Sequence, residues 1–140
     1  MSDTSLEYVQ WVEPTCPAGT AAANYTTTPV GIATVMLWRM EVRIPAGHQG
    51  YTGLALIDSG HFVVPYDEQG AEWLVGDNDL LGYDYGRQLG SNVKIATYNA
   101  GTYVHAWQVR LVYTPMSAVG LGASVIEAPA RRPTRKAARA

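Results

Sequence analysis

Between residues 37 and 44 the chain reads Leu-Trp-Arg-Met-Glu-Val-Arg-Ile, with Trp38, Met40, Val42 and Ile44 alternating strictly with Arg39, Glu41 and Arg43. A period of two places apolar groups on one face of an extended chain and charges on the other, which predicts a half-buried β-strand. The Gly-rich turn Pro45-Ala-Gly-His-Gln-Gly-Tyr-Thr-Gly53 delivers that strand into the apolar run Leu54-Ala-Leu-Ile57. Residues 54–58 and 61–64 then face each other across Ser59-Gly60, a connection of hairpin length, and Pro65 ends the second run. Residues 92–98 predict a further strand, Asn99-Ala-Gly101 a turn, and residues 102–114 a last strand in which Tyr103, His105, Trp107, Val109, Leu111 and Tyr113 share one parity.

The remaining segments are less regular. Residues 5–13 predict a first strand or an arm that adds to another sheet, and Pro14 to Pro29, with three Pro and a Thr-rich end, reads as a long loop. Glu72-Trp-Leu-Val75 predicts a short strand, Gly76-Asp-Asn-Asp79 a turn, and the Gly-, Tyr- and Asp-rich segment 80–90 has no evident pairing. The expected fold is all-β: a single antiparallel β-sandwich, jelly-roll-like, of about seven or eight strands. It spans residues 30–115, between an N-terminal arm and loop (1–29) and an extended basic C-terminal tail (116–140). The expected core is Trp38, Met40, Val42, Ile44, Leu54, Leu56, Trp107, Val109 and Leu111. A one-residue slip in any strand would exchange its faces.

Composition adds constraints. The 140 residues fit one domain with an ordinary core, and nine Tyr and four Trp against one Phe favour strand faces and interfaces. The single Cys16 excludes an internal disulfide framework. No apolar run approaches the roughly 18 residues of a membrane span, and Met1-Ser-Asp-Thr lacks the basic start of a signal peptide, so synthesis in the cytosol is expected. Charge is divided unevenly. Residues 1–129 hold five basic and all twelve acidic residues, a net −7, whereas Arg131, Arg132, Arg135, Lys136 and Arg139 give the end +5. An acidic body with a basic tail suits an acidic neighbour, another copy of itself or nucleic acid, and the acidic body ranks nucleic acid below a protein partner.

Candidate chemistry is sparse. No nucleophile-elbow, zincin, P-loop or dinucleotide fingerprint is present, so no enzymatic activity and no cofactor are expected. His48, His61 and His105 are far apart in sequence and in expected position, and no Cys pair completes a zinc set, so no metal ligand is assigned. Asp77-Asn-Asp79 with Asp84 offers oxygen ligands for calcium, but turn chemistry accounts for the same residues. Glu41, Asp58 and Glu68 have no identifiable acid–base partner, and Cys16, between Pro14 and Pro17, has no basic neighbour to activate it. Trp11, Tyr83, Tyr85 and Tyr98 fall where exposure is expected, as sugar platforms or as interface anchors.

The segments Glu41-Val-Arg-Ile-Pro-Ala-Gly-His-Gln-Gly-Tyr-Thr-Gly-Leu-Ala-Leu56, Val63-Val-Pro-Tyr66, Trp73-Leu-Val-Gly-Asp77 and Tyr98-Asn-Ala-Gly-Thr-Tyr-Val-His105 resemble small virion structural proteins of tailed bacteriophages. The resemblance spans about residues 36–113 and includes neither end of the chain. It implies a non-enzymatic virion protein: a capsid decoration or minor capsid protein that binds the major capsid protein and stabilises the head. Its basic tail residues, Arg131, Arg132, Arg135, Lys136 and Arg139, would be the partner-binding groups. A homo-oligomer is implied, and a trimer suits a quasi-hexagonal lattice. The alternatives are a neck or tail connector, and a carbohydrate-binding module using Trp73, Tyr83 or Tyr85.

Overall fold

The computed structural model describes residues 7–65 and 72–118. Among them are ten strands: β1 (Tyr8–Val12), β2 (Thr15–Cys16), β3 (Thr26–Pro29), β4 (Val35–Ile44), β5 (Thr52–Asp58), β6 (His61–Val64), β7 (Asp79–Leu89), β8 (Val93–Asn99), β9 (His105–Ala106) and β10 (Gln108–Pro115). Eight form two four-stranded antiparallel sheets, β1-β10-β4-β7 and β3-β8-β5-β6, and β2 pairs with β9 in a short ribbon. Counting the eight sheet strands in chain order, one sheet takes the first, eighth, third and sixth and the other the second, seventh, fourth and fifth. Apart from the β5–β6 hairpin, every step crosses between sheets, which is the jelly-roll path.

The sandwich is held by one apolar layer between the sheets. Val35, Leu37, Met40, Val42 and Ile44 of β4, Val109 and Leu111 of β10, Leu54 and Leu56 of β5, Ile95 of β8 and Trp107 are all buried in it. Every expected core residue is therefore found inside except Trp38, which is 38% exposed. The reason is a break in the alternation. Leu37 lies opposite Tyr113 and Arg39 opposite Val112, so Trp38 has no counterpart on β10. On the other side of β4, Leu37 faces Arg87 and Arg39 faces Asp84, leaving Tyr85 and Gly86 against Trp38. The extra residue is a β-bulge, and it resets parity so that both Leu37 and Met40 point inward. Trp38 turns outward, where its indole N–H donates to Thr114 Oγ1 at 2.9 Å.

Other segments depart from expectation. Residues 26–29, expected within a long loop, supply β3, whereas residues 8–12, expected as a first strand or an arm, form the strand β1. The segment 80–90, whose pairing was not evident, is the long edge strand β7, bonded along β4. Residues 72–75 contribute only a bridge between Leu74 and Leu54. Tyr103 sits in a bend and is exposed, so the shared parity of the last run does not extend back to it. The β5–β6 hairpin forms as expected, with Asp58 opposite His61 and both Ser59 and Gly60 at positive φ, the geometry of a type I′ turn.

A second apolar layer covers the outside of the β5 sheet. Ala55, Ile57, Phe62 and Ala96 are buried there beneath Tyr25 and Trp73. Phe62 meets Trp73 edge to face at 5.1 Å and Trp73 meets Tyr98 at 4.9 Å, so this face of the sandwich is closed by aromatic rings.

The bulge orders the costs of two neighbouring truncations. Leu37→Ala is expected to destabilise the fold by about 2–5 kcal/mol, as a buried leucine does, and Trp38→Ala by about 1 kcal/mol through its hydrogen bond and partial contact. Chemical denaturation of both variants measures this, and the reverse order would contradict the assigned register.

Candidate functional site

Among the described residues nothing covers the outer face of the β1-β10-β4-β7 sheet, and its side chains follow from strand parity. On β1, Val12 packs against the core and Gln10 donates from its amide to Val30 O at 3.0 Å, so the alternate residues Val9 and Trp11 point outward. Trp11 is 62% exposed. Val9 lies opposite Val112, and Val112 opposite Arg39, next to the bulged Trp38. Val9, Trp11, Val112 and Trp38 thus form an apolar shelf across three strands. Exposed tryptophans grouped on one face are a mark of contact surfaces rather than of ordinary solvated sheet.

Beside the shelf runs an ionic ladder. Arg110 Nη1 donates to Glu41 Oε1 at 3.0 Å, Arg39 Nε to Glu41 Oε2 at 2.9 Å, and Arg39 Nη1 to Asp84 Oδ1 at 2.8 Å. Gly82 makes this possible, because a Cβ at that position would collide with the Arg39 guanidinium lying across β7. The hydrogen bond from Arg39 chiefly, and that from Arg110, hold the Glu41 carboxyl below its ordinary value, while Glu41 first and Asp84 next raise Arg39. Exposed pairs of this kind are each worth at most about 1 kcal/mol, and their clearer effect is to fix the side chains that frame the shelf.

One end of the sandwich gathers the residues of the Gly-rich turn. His48 is fully buried: Nε2 donates to Ala106 O at 3.0 Å, so Nδ1 is the acceptor for the Thr52 hydroxyl at 2.7 Å. Its ring packs 4.3 Å from His105 and 4.9 Å from Trp107. The expectation that His48 and His105 lie apart is therefore corrected, since the turn after β4 and the ribbon strand β9 meet here. Asn99 ties the same end, donating to Cys16 O at 3.0 Å and Tyr103 O at 2.7 Å and accepting from Gly101 N–H at 2.9 Å. The segments 45–53 and 98–105, far apart in sequence, thus form one fastening.

The other singled-out residues are placed as follows. Asp77 Oδ1 accepts from Gly47 N–H at 2.9 Å and Gln49 N–H at 3.0 Å, and Asp79 Oδ2 accepts from Asp77 N–H at 2.9 Å. Those backbone bonds, Gln49 foremost, keep the Asp77 carboxyl below its usual value. Asp84 belongs to the ladder, so the calcium candidates serve turn and ladder. His61 is exposed at the hairpin, and Cys16 is buried with the Thr26 hydroxyl 3.6 Å from its sulfur. Asp58 Oδ2 accepts from Gly90 N–H at 2.8 Å. Among the described residues no group of three or more His, Cys, Asp or Glu is arranged to hold a metal ion. Tyr83 and Tyr85, half-buried, pack against the core, and Trp73, also half-buried, is held in the ring cluster, so all three take part in packing. Tail residues Arg131, Arg132, Arg135, Lys136 and Arg139, like Glu68, lie outside the described residues. Trp38 and Val9 went unrecognised as surface residues; strand periodicity from Trp11 leads to Val9, but the bulge that exposes Trp38 leaves no mark in the pattern.

No family model matches the chain, and no curated protein matches it. Two solved structures are similar in fold. A chain of the "Cyanophage Pam1 capsid asymmetric unit" is 13% identical with a TM-score of 0.43, over 78% of this chain and 84% of that one. A chain from "Bacillus endospore appendages form a novel family of disulfide-linked pili" is 13% identical with a TM-score of 0.42, over 78% of this chain and 88% of that one.

The buried His48 makes stability pH-dependent. Burial foremost, with the neighbouring His105, lowers its pKa. The unfolded chain then takes up the proton first, so stability is complete above about pH 6.5 and is lost as pH falls through the lowered pKa of the folded state. Denaturation midpoints between about pH 5 and 7 should fall with acid in the wild type and change less in His48→Gln. Equal slopes in the two proteins would contradict this.

Proposed function

We propose that this protein is a non-enzymatic structural component of a tailed-phage particle, a capsid decoration or minor capsid protein that binds the assembled head. The observation that carries the reading is the apolar shelf of Val9, Trp11, Val112 and Trp38 on an open sheet face, framed by the Arg110–Glu41–Arg39–Asp84 ladder. A shelf of this kind has an apolar centre and an ordered polar rim, the anatomy of a protein–protein contact. The resemblance to virion proteins supports the same reading, and two of the segments that carry it, 45–53 and 98–105, meet in space as one fastening.

The non-enzymatic reading is consistent with the commitments of the polar side chains among the described residues. His48 is committed on both ring nitrogens, Cys16 is buried without a base, and Asp77, Asp79 and Asp84 are engaged by backbone and arginine. A sugar platform is disfavoured by the packing of Trp73, Tyr83 and Tyr85. In this reading the shelf makes the specific contact, and Arg131, Arg132, Arg135, Lys136 and Arg139 add a salt-sensitive hold on an acidic capsid surface.

Cosedimentation with capsids lacking the protein tests the assignment. Saturable binding is expected, weakened by salt and by truncation after Pro115, and lowered about tenfold or more by Trp11→Ala, as for an interface anchor. Absence of binding by the full-length chain would overturn the capsid assignment, and binding only to necks or tails would replace it with the connector reading.

A further inference from the structure

A sheet edge exposes a row of backbone N–H and C=O groups, and proteins that stay monomeric protect such edges with charges, proline, bulges or short strands. Three of the four edges here are protected in that way. β3 is four residues long and ends in Pro29, which has no N–H to donate. β6 is also four residues long and is followed by Pro65. β7 carries Asp84 and Arg87 and is broken by the Tyr85-Gly86 bulge. The fourth edge, β1, reads Tyr-Val-Gln-Trp-Val, with no charge, proline or glycine, and Tyr8, Val9 and Trp11 are exposed on it. Among the described residues β1 pairs only with β10.

We infer that β1 is a pairing edge for the β1 strand of a second copy, which joins two β1-β10-β4-β7 sheets into one eight-stranded antiparallel sheet about a two-fold axis. Self-pairing is the arrangement left open, since the other edges of an identical copy are blocked. Faces match only when the axis passes through a residue rather than between two, and an axis at Gln10 pairs all five residues: Tyr8 with Val12, Val9 with Trp11, and Gln10 with its copy. The two shelves then become continuous, with Val9 and Trp11 of each copy facing the other's Trp11 and Val9.

Size and charge set the strength of this contact. The exposed parts of Tyr8, Val9 and Trp11 give on the order of a few hundred Å² per copy, below the roughly 800 Å² per partner of a stable complex. Pairing is therefore weak in dilute solution and dominant where copies are crowded on a surface. The same register sets Glu7 opposite Glu13 at both ends of the pair. Salt screens that repulsion, so pairing strengthens with ionic strength, the opposite of the tail's hold on an acidic surface.

Sedimentation equilibrium of the full-length chain without capsids, from about 10 μM to 1 mM, tests the inference independently of the head-binding assignment. The weight-average mass should rise from one copy toward two, more steeply in high salt. Val9→Lys should abolish the rise, Leu80→Lys on the opposite edge should leave it intact, and Glu7→Gln with Glu13→Gln should raise association severalfold in low salt without needing Val9→Lys to fold. A monomer at every concentration would overturn the inference. So would association that salt weakens, or that Leu80→Lys removes and Val9→Lys does not, because either would place the contact on the tail or on another edge.

Discussion

The jelly roll depends on one extra residue in its central strand. β4 is bonded on both sides, to β10 and to β7, and runs ten residues from Val35 to Ile44. Without the bulge at Trp38, a period of two would bury either the Leu37 set or the Met40 set and drive the other into water. With it, Val35 and Leu37 join Met40, Val42 and Ile44 in one layer. The same displacement sends an indole to the outer face, so the step that completes the core also builds the shelf.

The opposite requirement operates at the end of the sandwich. There, the enclosed side chains of His48 and Asn99 are fully partnered, which counts because an unpaired buried polar group costs about 1–3 kcal/mol, whereas the buried Trp107 indole N–H beside His48 meets no acceptor among the described residues. His48 uses both ring nitrogens and Asn99 binds three backbone groups, while Asp77, exposed at the surface, receives two amides of the turn it faces. These bonds define where residues 45–53 and 98–105 go with little help from regular strand pairing. The side chains of His48, Asn99 and Asp77 are thereby engaged in architecture.

Much of this was legible in the pattern of residues, and the failures have specific causes. Alternation identified β4 and β10 and the core residues from Met40 to Ile44, because those strands bury one regular face, whereas β5, buried on both faces, was legible as a short apolar run ended by turn residues and β8 as a strand-length run ending at the Asn99-Ala-Gly101 turn. Trp38 was misplaced because a bulge adds a residue without altering local composition. β7 was missed because its glycines serve contacts that composition cannot express, Gly82 giving way to the Arg39 side chain and Gly86 occupying the bulge at positive φ. β3 was hidden in a Thr- and Pro-rich stretch that is extended only because β8 offers it a partner. Exposure of Trp11 followed from strand position, whereas its grouping with Val112 and Trp38 required the sheet order. The meeting of His48 with His105 likewise arises from topology, since 57 residues separate them.

In the proposed function, the outer face of the β1-β10-β4-β7 sheet and its β1 edge form the contact surface of an assembled particle. Amide hydrogen exchange compared between the free chain and the chain bound to capsids tests it most directly, because it reads edge hydrogen bonds residue by residue. Slowed exchange across Tyr8–Val12 is expected on assembly, with the Asn99–His105 end unchanged. Protection confined to that end, with Tyr8–Val12 exchanging as fast as in the free chain, would contradict it.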